Sequence, residues 1–459
     1  MKKVNSLVFA KQKEYYNAGK TRSVDFRIEQ LKKLRKLVKQ NENEIMDAIR
    51  KDFGKSEFET YITEILQFYN EVNVNIKKLK KWARPKKKWL PITHFPCTGK
   101  VYKEPYGVVL IICPFNYPFG LMFTPLISAI AAGNCVMIKP SEYTVHFNEV
   151  IEKLVNENFE QNYLYVCDPY RGKDTVNELL ELPFQYIFFT GSTRVGKIIM
   201  EHAAKNLIPV TLELGGKSPC IITDSANIKM AARRIVWGKF INAGQTCVAP
   251  DYIVVAKSVK DKFLEALVNE IKIQYGVNPK ENDEYCGIIN KNAVERLTGY
   301  LEDGTVYYGG DYDKESCYFG PTILTDVGDD SKVMQEEIFG PIIPVVTYDV
   351  LEEEIEVLQK KPSPLALYIF TENKEEQRYI LEKLPSGDVM INDTVLHVAT
   401  SKFPFGGVGT SGIGKYHGYS GFETFTHTRS VLYRGTWIEI SLRFAPYKNK
   451  LAFVRKILK

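Results

Sequence analysis

The sequence lacks the features that mark several large classes of protein. Its eight cysteines form no Cys-x-x-Cys pair and no two histidines are adjacent, so neither a disulfide scaffold nor a metal site is predicted. No apolar run approaches the roughly 20 residues of a membrane span, and the longest, 108–114, has the length of a strand. The first residues also lack the apolar core of a signal peptide. We therefore expect reduced thiols and a cytoplasmic protein.

A strong charge of either sign is also missing. The 459 residues carry 61 basic against 55 acidic side chains, and this net charge of +6 implies no particular acidic partner. Lysines do cluster at 77–81 and 86–88, but few aromatic residues accompany them. We interpret these runs as a solvated helix end and an exposed segment, and not as a nucleic-acid-binding patch.

What the sequence does contain is an alternation of apolar strands with helical segments. Helices are predicted at 23–50 and 57–80, and residues 41–44 form a candidate capping box for a continued or a new helix. Fully apolar strands separated by helices predict parallel sheets covered on both faces. Two such blocks predict two α/β domains with a ligand cleft between them. The predicted strands lie at 107–113, 135–138, 163–166, 186–189, 220–222, 252–255, 344–348 and 366–370.

Cys247 is the first candidate for chemistry. The small residues Ala243 and Gly244 precede it and let a substrate carbonyl approach the thiol closely. The alternative is a buried, inert cysteine, which is the more common case. Glu213 stands between apolar neighbours and is followed by glycines at 215 and 216, which suits a general base with a raised pKa.

Other candidates follow predicted strands directly, where α/β sheets place their function. Asn116, between Pro114 and Pro118, has a side-chain amide able to stabilise an oxyanion, or it is an ordinary turn residue. Gly191 and Ser192 open a helix and suit a diphosphate. Their motif is not G-x-G-x-x-G, so an ordinary strand–helix turn remains an equal alternative.

A third group of candidates would recognise riboses or rings. Lys139 ends a strand and offers donors to ribose hydroxyls or phosphate, or is a surface lysine. The carboxylate of Glu337 can accept two hydrogen bonds from a diol, and Phe339 can pack on a flat ring. The glycine-rich run 403–414 lacks the context of a P-loop, and we expect a shaped loop near the active site.

Together these motifs resemble the aldehyde dehydrogenase superfamily over nearly the whole chain. The run 248–252 after the cysteine and the compact N-terminus resemble its class 3 branch, which acts on fatty and aromatic aldehydes. Phe115 departs from the tryptophan common at that position. The motifs that carry the resemblance, in family order, are Pro114–Pro118, Lys139–Glu142, Gly191–Gly196, Leu212–Lys217, Gly244–Cys247, Glu336–Pro341 and Pro404–Gly412.

The resemblance implies a covalent mechanism of aldehyde oxidation. Cys247 would attack the aldehyde to form a thiohemiacetal, and the Asn116 amide with the Cys247 backbone N–H would hold the oxyanion. After hydride transfer to a nicotinamide, Glu213 would deprotonate the water that hydrolyses the thioester. A free carboxylic acid would be the product, from a medium- or long-chain aliphatic or an aromatic aldehyde.

The same resemblance implies how the cofactor is bound. Lys139 and Glu337 would hold the two riboses, Gly191 and Ser192 would approach the diphosphate, and Phe339 would pack near the nicotinamide. Glu142 matches the family carboxylate near the adenine ribose, and its charge would repel a 2′-phosphate and favour NAD. Since class 3 enzymes often accept both cofactors, we expect NAD and possibly NADP.

The implied fold is α/β, a Rossmann-like dinucleotide-binding domain plus an α/β catalytic domain and a small β oligomerisation or bridging element. The expected bounds are 1–84 with 104–209, then 210–398, and 85–103 with 399–459 for the β element. A homodimer is expected. The basic, amphipathic tail 451–459 is expected to pack over the substrate entrance or the dimer partner, with weak contact to a membrane surface as the alternative.

Two other functions stay open at this point. The enzyme would be a coenzyme A-acylating aldehyde dehydrogenase if coenzyme A replaced water, although that branch tends to lack the base at Glu213. The chain would be a non-catalytic structural or binding protein if the family fold alone were kept. The joint presence of Cys247, Glu213, Asn116 and Glu337 argues against this second alternative.

Overall fold

The computed structural model describes residues 2–457 and begins with a helical region. A π-helical turn, Tyr61–Ile65, joins the fourth helix to the fifth. Two strands then follow, β1 (Lys86–Lys88) and β2 (Cys97–Pro105). The helices before them are α1 (Lys2–Asn17), α2 (Val24–Gln40), α3 (Glu42–Phe53), α4 (Glu57–Thr60) and α5 (Leu66–Trp82).

The helix predicted over 23–50 is divided in two at Asn41. The Asn41 backbone N–H donates to the Leu37 and Val38 carbonyls, and its side-chain amide donates back to the Leu37 carbonyl at 2.8 Å. The Asn41 side chain thus closes α2 and makes no capping hydrogen bond to α3. The capping box predicted at 41–44 is therefore wrong. The helix predicted at 57–80 is confirmed, with the π-helical turn inside it.

A six-stranded sheet forms the first α/β layer, with strand order β17-β7-β6-β3-β4-β5. The strands β3, β4 and β6 are buried along their whole length, which explains their continuous apolar sequence. The elements in chain order are β3 (Val108–Ile112), α6 (Gly120–Ala132), β4 (Cys135–Lys139), α7 (Val145–Asn156), β5 (Leu164–Val166), α8 (Lys173–Leu180), β6 (Tyr186–Thr190), α9 (Thr193–Lys205) and β7 (Val210–Glu213).

A seven-stranded sheet forms the second layer, in the order β10-β13-β14-β9-β8-β15-β16. Its strands pair in parallel except β10, which is antiparallel to β13. The elements are β8 (Pro219–Ile222), α10 (Ile228–Phe240), β9 (Tyr252–Ala256), α11 (Lys260–Tyr275), α12 (Lys291–Gly299), β10 (Thr305–Tyr308), β11 (Tyr312–Asp313), β12 (Tyr318–Phe319), β13 (Thr322–Thr325), α13 (Lys332–Gln335), β14 (Ile342–Tyr348), α14 (Leu351–Gln359), β15 (Ala366–Phe370), α15 (Lys374–Lys383) and β16 (Asp388–Ile391).

The last part of the chain returns to earlier elements. Strand β17 (Gly412–Ile413) pairs antiparallel with β7, and β18 (Thr426–Arg434) pairs antiparallel with β2 over nine residues. Helices α16 (Gly418–Thr424) and α17 (Lys450–Ile457) lie before and after β18. The order β1-β2-β18 makes a separate three-stranded sheet from two distant segments.

The predicted fold class is confirmed, since two parallel α/β sheets and a small β element are all present. Strand β7 belongs to the first sheet, so the chain passes to the second sheet between Glu213 and Pro219. The exact domain bounds stay a prediction. No helix among residues 2–457 is long and apolar enough to cross a bilayer.

The parallel strands bring several candidate residues to one edge of the first sheet. Lys139 ends β4, Gly191 follows β6 and Glu213 ends β7. Asn116 comes four residues after the end of β3, which lies between β4 and β6. Because the carboxyl ends of parallel strands face the same way, these side chains share one crevice. Burial of each Val, Leu or Ile side chain in these strands stabilises the platform by roughly 1.5–3 kcal/mol.

Candidate active site

Glu213 lies at the carboxyl end of β7, between Thr190 of β6 and Gly412 of β17. Its side chain is 2% exposed, and neither carboxylate oxygen has a hydrogen-bond partner within the protein. Burial, and then the charge of Asp388, raise the pKa of Glu213 well above its usual range, while Lys415 opposes the shift. A carboxylate in this environment binds a proton strongly, which is the property of a general base.

The loop that carries Cys247 has an unusual backbone. Asn242 and Ala243, in the turn Ile241–Gly244, have φ angles of 54° and 48°, in the left-handed region that non-glycine residues rarely adopt. Gly244 follows with a φ of 74°, and a Cβ there would overlap the Gly340 carbonyl. The chain can take this path only because position 244 has no side chain.

Hydrogen bonds hold this loop in place from both sides. The Asn242 backbone N–H donates to Glu59 Oε1 at 2.8 Å, and Asn242 Nδ2 donates to the Asn116 carbonyl at 2.9 Å. Gln245 Nε2 donates to the carbonyls of Asn242 and Gly287. Such bonds stabilise the strained conformation, and they fix the backbone that leads into Cys247.

The Asn116 amide lies against the same loop. Asn116 Nδ2 donates to the Gln245 carbonyl at 2.9 Å, and the residue is 3% exposed. An amide nitrogen has two hydrogens, so the second N–H of Asn116 remains for another acceptor, such as a developing oxyanion. The predicted proximity of Asn116 to the cysteine loop is thus present in the structure.

The thiol of Cys247 is half-buried and free. Burial, and then the charges of Glu337 and Glu213, raise its pKa to about 12. Hydrogen bonds from the backbone N–H groups of Cys247 and Val248 act in the opposite direction. Both carboxylates therefore interact electrostatically with the thiol. Burial and these two charges keep the thiol protonated, so the chain alone does not favour the thiolate.

Four supporting residues were missed by the sequence interpretation. The Tyr117 hydroxyl lies 2.6 Å from Thr246 Oγ1, directly before Cys247. Lys55 Nζ lies 4.0 Å from the centre of the Tyr117 ring and pairs with Glu64 at 2.8 Å, with both side chains fully buried. Tyr117 and Thr246 lie within recognised motifs and could have been found there. Lys55 and Glu64 have no local signal, since only the tertiary fold brings them under the site.

Residues expected to bind the cofactor lie along the sheet edge. Lys139 Nζ and Glu142 Oε2 form an ion pair of 2.7 Å; the lysine is buried and the carboxylate half-exposed. The Ser192 hydroxyl accepts from the Val195 N–H and caps α9. A Cβ on Gly191 would approach the Phe189 ring to 2.6 Å, so this turn requires a glycine.

Glu337 reaches the site from the second sheet's side. Its carboxylate lies so close to Gly215 that a Cβ there would overlap it, and it accepts a hydrogen bond from the Gly216 N–H. Burial, and then the charge of Asp251, raise the pKa of Glu337 to about 8. Phe339 has a φ of 46°, and its ring meets the Phe115 ring edge-on at 5.8 Å.

Lys217 is a further residue whose role the sequence did not reveal. Its ammonium group pairs with Asp251 at 2.5 Å and donates to the carbonyls of Val333 and Glu336 at 2.7 and 3.1 Å. These bonds tie the glycine segment 215–216 to the segment that carries Glu337. Lys217 therefore fixes the position of the Glu337 carboxylate relative to the glycine segment that it contacts.

The arrangement fits a dinucleotide. A glycine turn at the start of a long helix, Gly191 before α9, offers backbone N–H groups to a diphosphate. Glu337 provides a carboxylate suited to a diol, next to a cavity of about 330 Å³ also lined by Thr193, Lys217 and Thr410. The predicted glycine loop lies beside this site, since Gly412 pairs with Glu213.

The chain is similar in sequence to known proteins of one family. The sequence profile of the "Aldehyde dehydrogenase family" matches residues 2–431. The chain is 46% identical to a 4,4'-diaponeurosporen-aldehyde dehydrogenase of Staphylococcus aureus, over 98% of both chains. It is 43% identical to an "Aldehyde dehydrogenase, dimeric NADP-preferring" of Rattus norvegicus, over 92% of both chains.

Solved structures show the same likeness in three dimensions. The structure described as "Substrate bound state of Staphylococcus Aureus AldH" is 45% identical, with a TM-score of 0.97, and the match covers 99% of this chain and 100% of that one. An NAD+ complex of an aldehyde dehydrogenase from Bacillus cereus is 28% identical, with a TM-score of 0.82, over 90% of this chain and 84% of that one. With its geometry and these relatives together, the chain belongs to the aldehyde dehydrogenase family and is an NAD(P)-dependent oxidoreductase that converts aldehydes to carboxylic acids.

Proposed function

We propose that Cys247 is the nucleophile of this oxidation, Glu213 the base that activates water, and Asn116 the donor that stabilises the oxyanion. The observation that carries the proposal is the Glu213 carboxylate, which is buried without a hydrogen-bond partner within the protein and whose charge acts on the Cys247 thiol. Burial of an unpaired carboxylate costs free energy, so its presence here indicates a functional role. The strained and fully hydrogen-bonded loop at 242–245 supports the assignment of the nucleophile.

In the first step the Cys247 thiol gives up its proton to solvent, and the resulting thiolate sulfur forms a bond to the aldehyde carbon. The carbonyl double bond becomes a single bond, and its electron pair moves to the oxygen. The free N–H of Asn116 then donates to this oxyanion, a contribution of roughly 3–4 kcal/mol in comparable sites. The hydrogen bond from Asn116 to the Gln245 carbonyl holds the amide in the required orientation.

The cofactor would be held by residues from both sheets. Lys139 and Glu337 would bind the two riboses, with Glu142 near the adenine-side ribose and Gly191 and Ser192 near the diphosphate. When bound, NAD or NADP supplies the hydride acceptor that turns the thiohemiacetal into a thioester. Phe339, which packs against Phe115, would form a wall of the nicotinamide position.

Glu213 would complete the cycle. It removes a proton from water, the water oxygen attacks the thioester carbon, and the carbon–sulfur bond breaks to release the acid and the thiol. A general base of this kind accelerates a reaction by roughly 10²–10⁴. The raised pKa of Glu213 suits the task, because a carboxylate with high proton affinity is a stronger base.

The acyl-enzyme can be trapped to test this assignment. In Glu213→Gln the first steps continue while hydrolysis stalls, so the peptide that contains Cys247 should carry the mass of the acyl group after reaction with aldehyde and cofactor. Wild-type protein mixed with aldehyde alone is the control. An acyl group on a different cysteine, with Cys247 unmodified, would refute the assignment.

We also propose that the substrate is a medium- or long-chain aliphatic or an aromatic aldehyde. The class 3 resemblance supports this range, as does the similarity to an enzyme named for 4,4'-diaponeurosporen-aldehyde. A series of straight-chain aldehydes and benzaldehydes, compared by kcat/KM from the absorbance of the reduced cofactor, tests it. A maximum at the shortest aldehydes would contradict it.

Mass spectra of the product with and without coenzyme A distinguish the acid from an acyl-coenzyme A.

For the assembly we propose a homodimer in the cytoplasm. Strand β18 is an edge strand of the three-stranded sheet, and its open edge is available for pairing with a second chain. The three lysines of β1 disfavour pairing at the opposite edge. A relative is described as dimeric. The eight free thiols support a reducing compartment. Light scattering on the purified protein tests the dimer, and a monomer mass would contradict it.

The C-terminal helix α17 offers a weaker contact to a membrane surface. Leu451 and Phe453 are exposed on it, close to basic Arg455 and Lys456. Apolar and cationic residues together suit the surface of an anionic bilayer. Sedimentation with anionic vesicles, compared with neutral vesicles, tests this contact. Equal recovery in the supernatant with both kinds of vesicle would contradict the membrane contact and leave packing over the substrate entrance or the dimer partner as the expectation.

A further inference from the structure

Gly406 lies between two carboxylates that come from different sheets. A Cβ on Gly406 would approach Glu213 Oε1 to 3.1 Å, so the glycine packs directly on the carboxylate at the end of β7. The backbone N–H of the same glycine donates to the carboxylate of Asp388, the first residue of β16. Strand β7 is beside the edge strand of the first sheet, and β16 is an edge strand of the second. One residue of backbone thus separates Glu213 from Asp388.

Lys415 adds a positive charge at the same point. A Cβ on Gly406 would lie 3.0 Å from the Lys415 Cα, so the lysine begins in contact with the glycine. The pairing of Phe405 with Tyr416 keeps the two backbones together, through hydrogen bonds of 3.0 and 2.8 Å. Lys415 is exposed, whereas Asp388 is half-buried and its Oδ2 has no hydrogen-bond partner.

The charges around Glu213 are therefore few and of both signs. Asp388 opposes the ionised form of Glu213, and Lys415 favours it; burial acts more strongly than either. The other titratable groups that interact with Glu213 lie on the cysteine loop, on β6 and after β17, and all are neutral at physiological pH: Cys247, Tyr186 and Tyr416. Asp388 and Lys415 are thus the two charged groups whose removal would change its ionisation most directly.

We propose that Asp388 and Lys415 are positioning residues of the oxidation, which act through their opposite charges across Gly406 to set the pH at which Glu213 activates water. This inference rests on the proposed role of Glu213 as the base. Neither residue touches the reacting atoms. The half-buried carboxylate makes Glu213 a stronger base, and the exposed ammonium keeps enough of it ionised for turnover.

The two charges predict opposite effects when removed. In Asp388→Asn the negative charge is lost, Glu213 ionises more readily, and its pKa falls. In Lys415→Met the positive charge is lost, and the pKa of Glu213 rises. A nearby charge that is partly screened by solvent shifts such a value by about one unit. The Asn side chain keeps the acceptor for the Gly406 N–H, so the local backbone is preserved.

The experiment times the hydrolysis of the acyl-enzyme alone. An activated phenyl ester acylates the thiol without a redox step, and the steady release of phenol after the burst reports hydrolysis. The rate is measured against pH for wild type, Asp388→Asn and Lys415→Met. We expect the midpoint of the profile to move down by about one pH unit in the first variant and up by about one unit in the second.

Control variants separate charge from general disturbance. Asp393→Asn removes a negative charge and Lys402→Met removes a positive charge, as the two test variants do, but at residues away from Gly406. Both control variants should keep the wild-type midpoint of the pH profile. A lower rate without opposite shifts of the midpoint would show a merely structural role and overturn the inference. Equal shifts in the control variants would overturn it as well.

The base assignment and this inference fail in different ways. If Glu213→Gln hydrolyses the acyl-enzyme at the wild-type rate, the proposed function is wrong. If Glu213→Gln stalls while Asp388→Asn and Lys415→Met both keep the wild-type midpoint, only the inference is wrong. The infrared band of the protonated Glu213 carboxyl, assigned by its absence in Glu213→Gln and followed through pH, gives the same shift without any turnover.

Discussion

The loop before Cys247 and the end of β7 at Glu213 are held in opposite ways. In the loop, Asn242 and Gln245 satisfy their polar groups through hydrogen bonds to Asn116, Gly287 and neighbouring backbone. At the end of β7, the Glu213 carboxylate has no hydrogen-bond partner within the protein, and its pKa is set mainly by burial and then by the charges of Asp388 and Lys415. The loop of the proposed nucleophile is fixed by hydrogen bonds, whereas the carboxylate of the proposed base has none within the protein.

The difference follows from what each group must do. A nucleophile has to approach one carbon atom at one distance, so its backbone must be held firmly. Hydrogen bonds do this here although the backbone adopts unfavourable left-handed φ angles. A base has to take a proton from water, and hydrogen bonds to its ionised form would weaken it. Position matters most for the first group and proton affinity for the second.

Removal of the thiol should have the largest effect. In Cys247→Ala the covalent step is impossible, so we expect formation of reduced cofactor to fall by at least about 10³-fold, as for other catalytic nucleophiles. The absorbance of the reduced cofactor measures it. Cys317→Ala, which removes another half-buried thiol, should keep wild-type activity. Steady turnover by Cys247→Ala would show that Cys247 is not the nucleophile.

Removal of the proposed base, Glu213, should allow the first turnover and then slow hydrolysis of the acyl-enzyme. Glu213→Gln keeps the shape of the side chain and loses its proton affinity, so one equivalent of reduced cofactor should form quickly. The following turnover should be slower by roughly 10²–10⁴. Stopped-flow measurement separates the two phases. Glu270→Gln, which changes a buried carboxyl on α11, is the matched control and should keep the wild-type time course. A uniform decrease of both phases would contradict the role of Glu213 in hydrolysis.

A side chain at position 244 should show how much the nucleophile depends on its backbone. In Gly244→Ala the Cβ would overlap the Gly340 carbonyl at a φ of 74°, so the loop must move. We expect a loss of activity of about 10²-fold, the cost of a misplacement of about 1 Å, together with a lower melting temperature. Gly276→Ala, also at positive φ but in open surroundings, controls for backbone strain alone. Equal activities of the two variants would contradict the idea that activity depends on the exact backbone position of the Cys247 loop.

The smallest effect concerns Glu59, which accepts the Asn242 N–H. Burial raises the pKa of Glu59 from 4.5 to about 7, so the unfolded chain ionises first and the free energy of unfolding falls as pH rises through this interval. Glu59→Gln keeps an acceptor oxygen and loses the titration. Its stability relative to wild type should therefore increase between about pH 4.5 and 7 in urea unfolding. Glu57→Gln, exposed on the same short helix, should show no such trend. A constant difference across this pH range would contradict the effect.

Much of the fold and part of the site could be predicted from the sequence because their signals are local. Apolar runs such as 108–112 and 135–139 are strands since their side chains are buried on both faces. The motifs around Asn116, Glu213 and Cys247 stand directly after strands or in a small-residue turn, where chemistry is expected. At Asn41 the sequence left a continued helix and a new helix as alternatives, since the pattern of apolar residues continues through the break that the structure shows.

The sequence by itself determined the alternation of strands and helices, the order of the motifs and hence the family, and it indicated the proposed reacting groups. Only the tertiary structure decided that Glu59 supports Asn242, that Lys55 and Glu64 lie under Tyr117, and that Gly406 separates Glu213 from Asp388. The physical reason is one of range. Strand and turn preferences act between near neighbours in the chain, whereas burial and charge act between groups that only folding brings together.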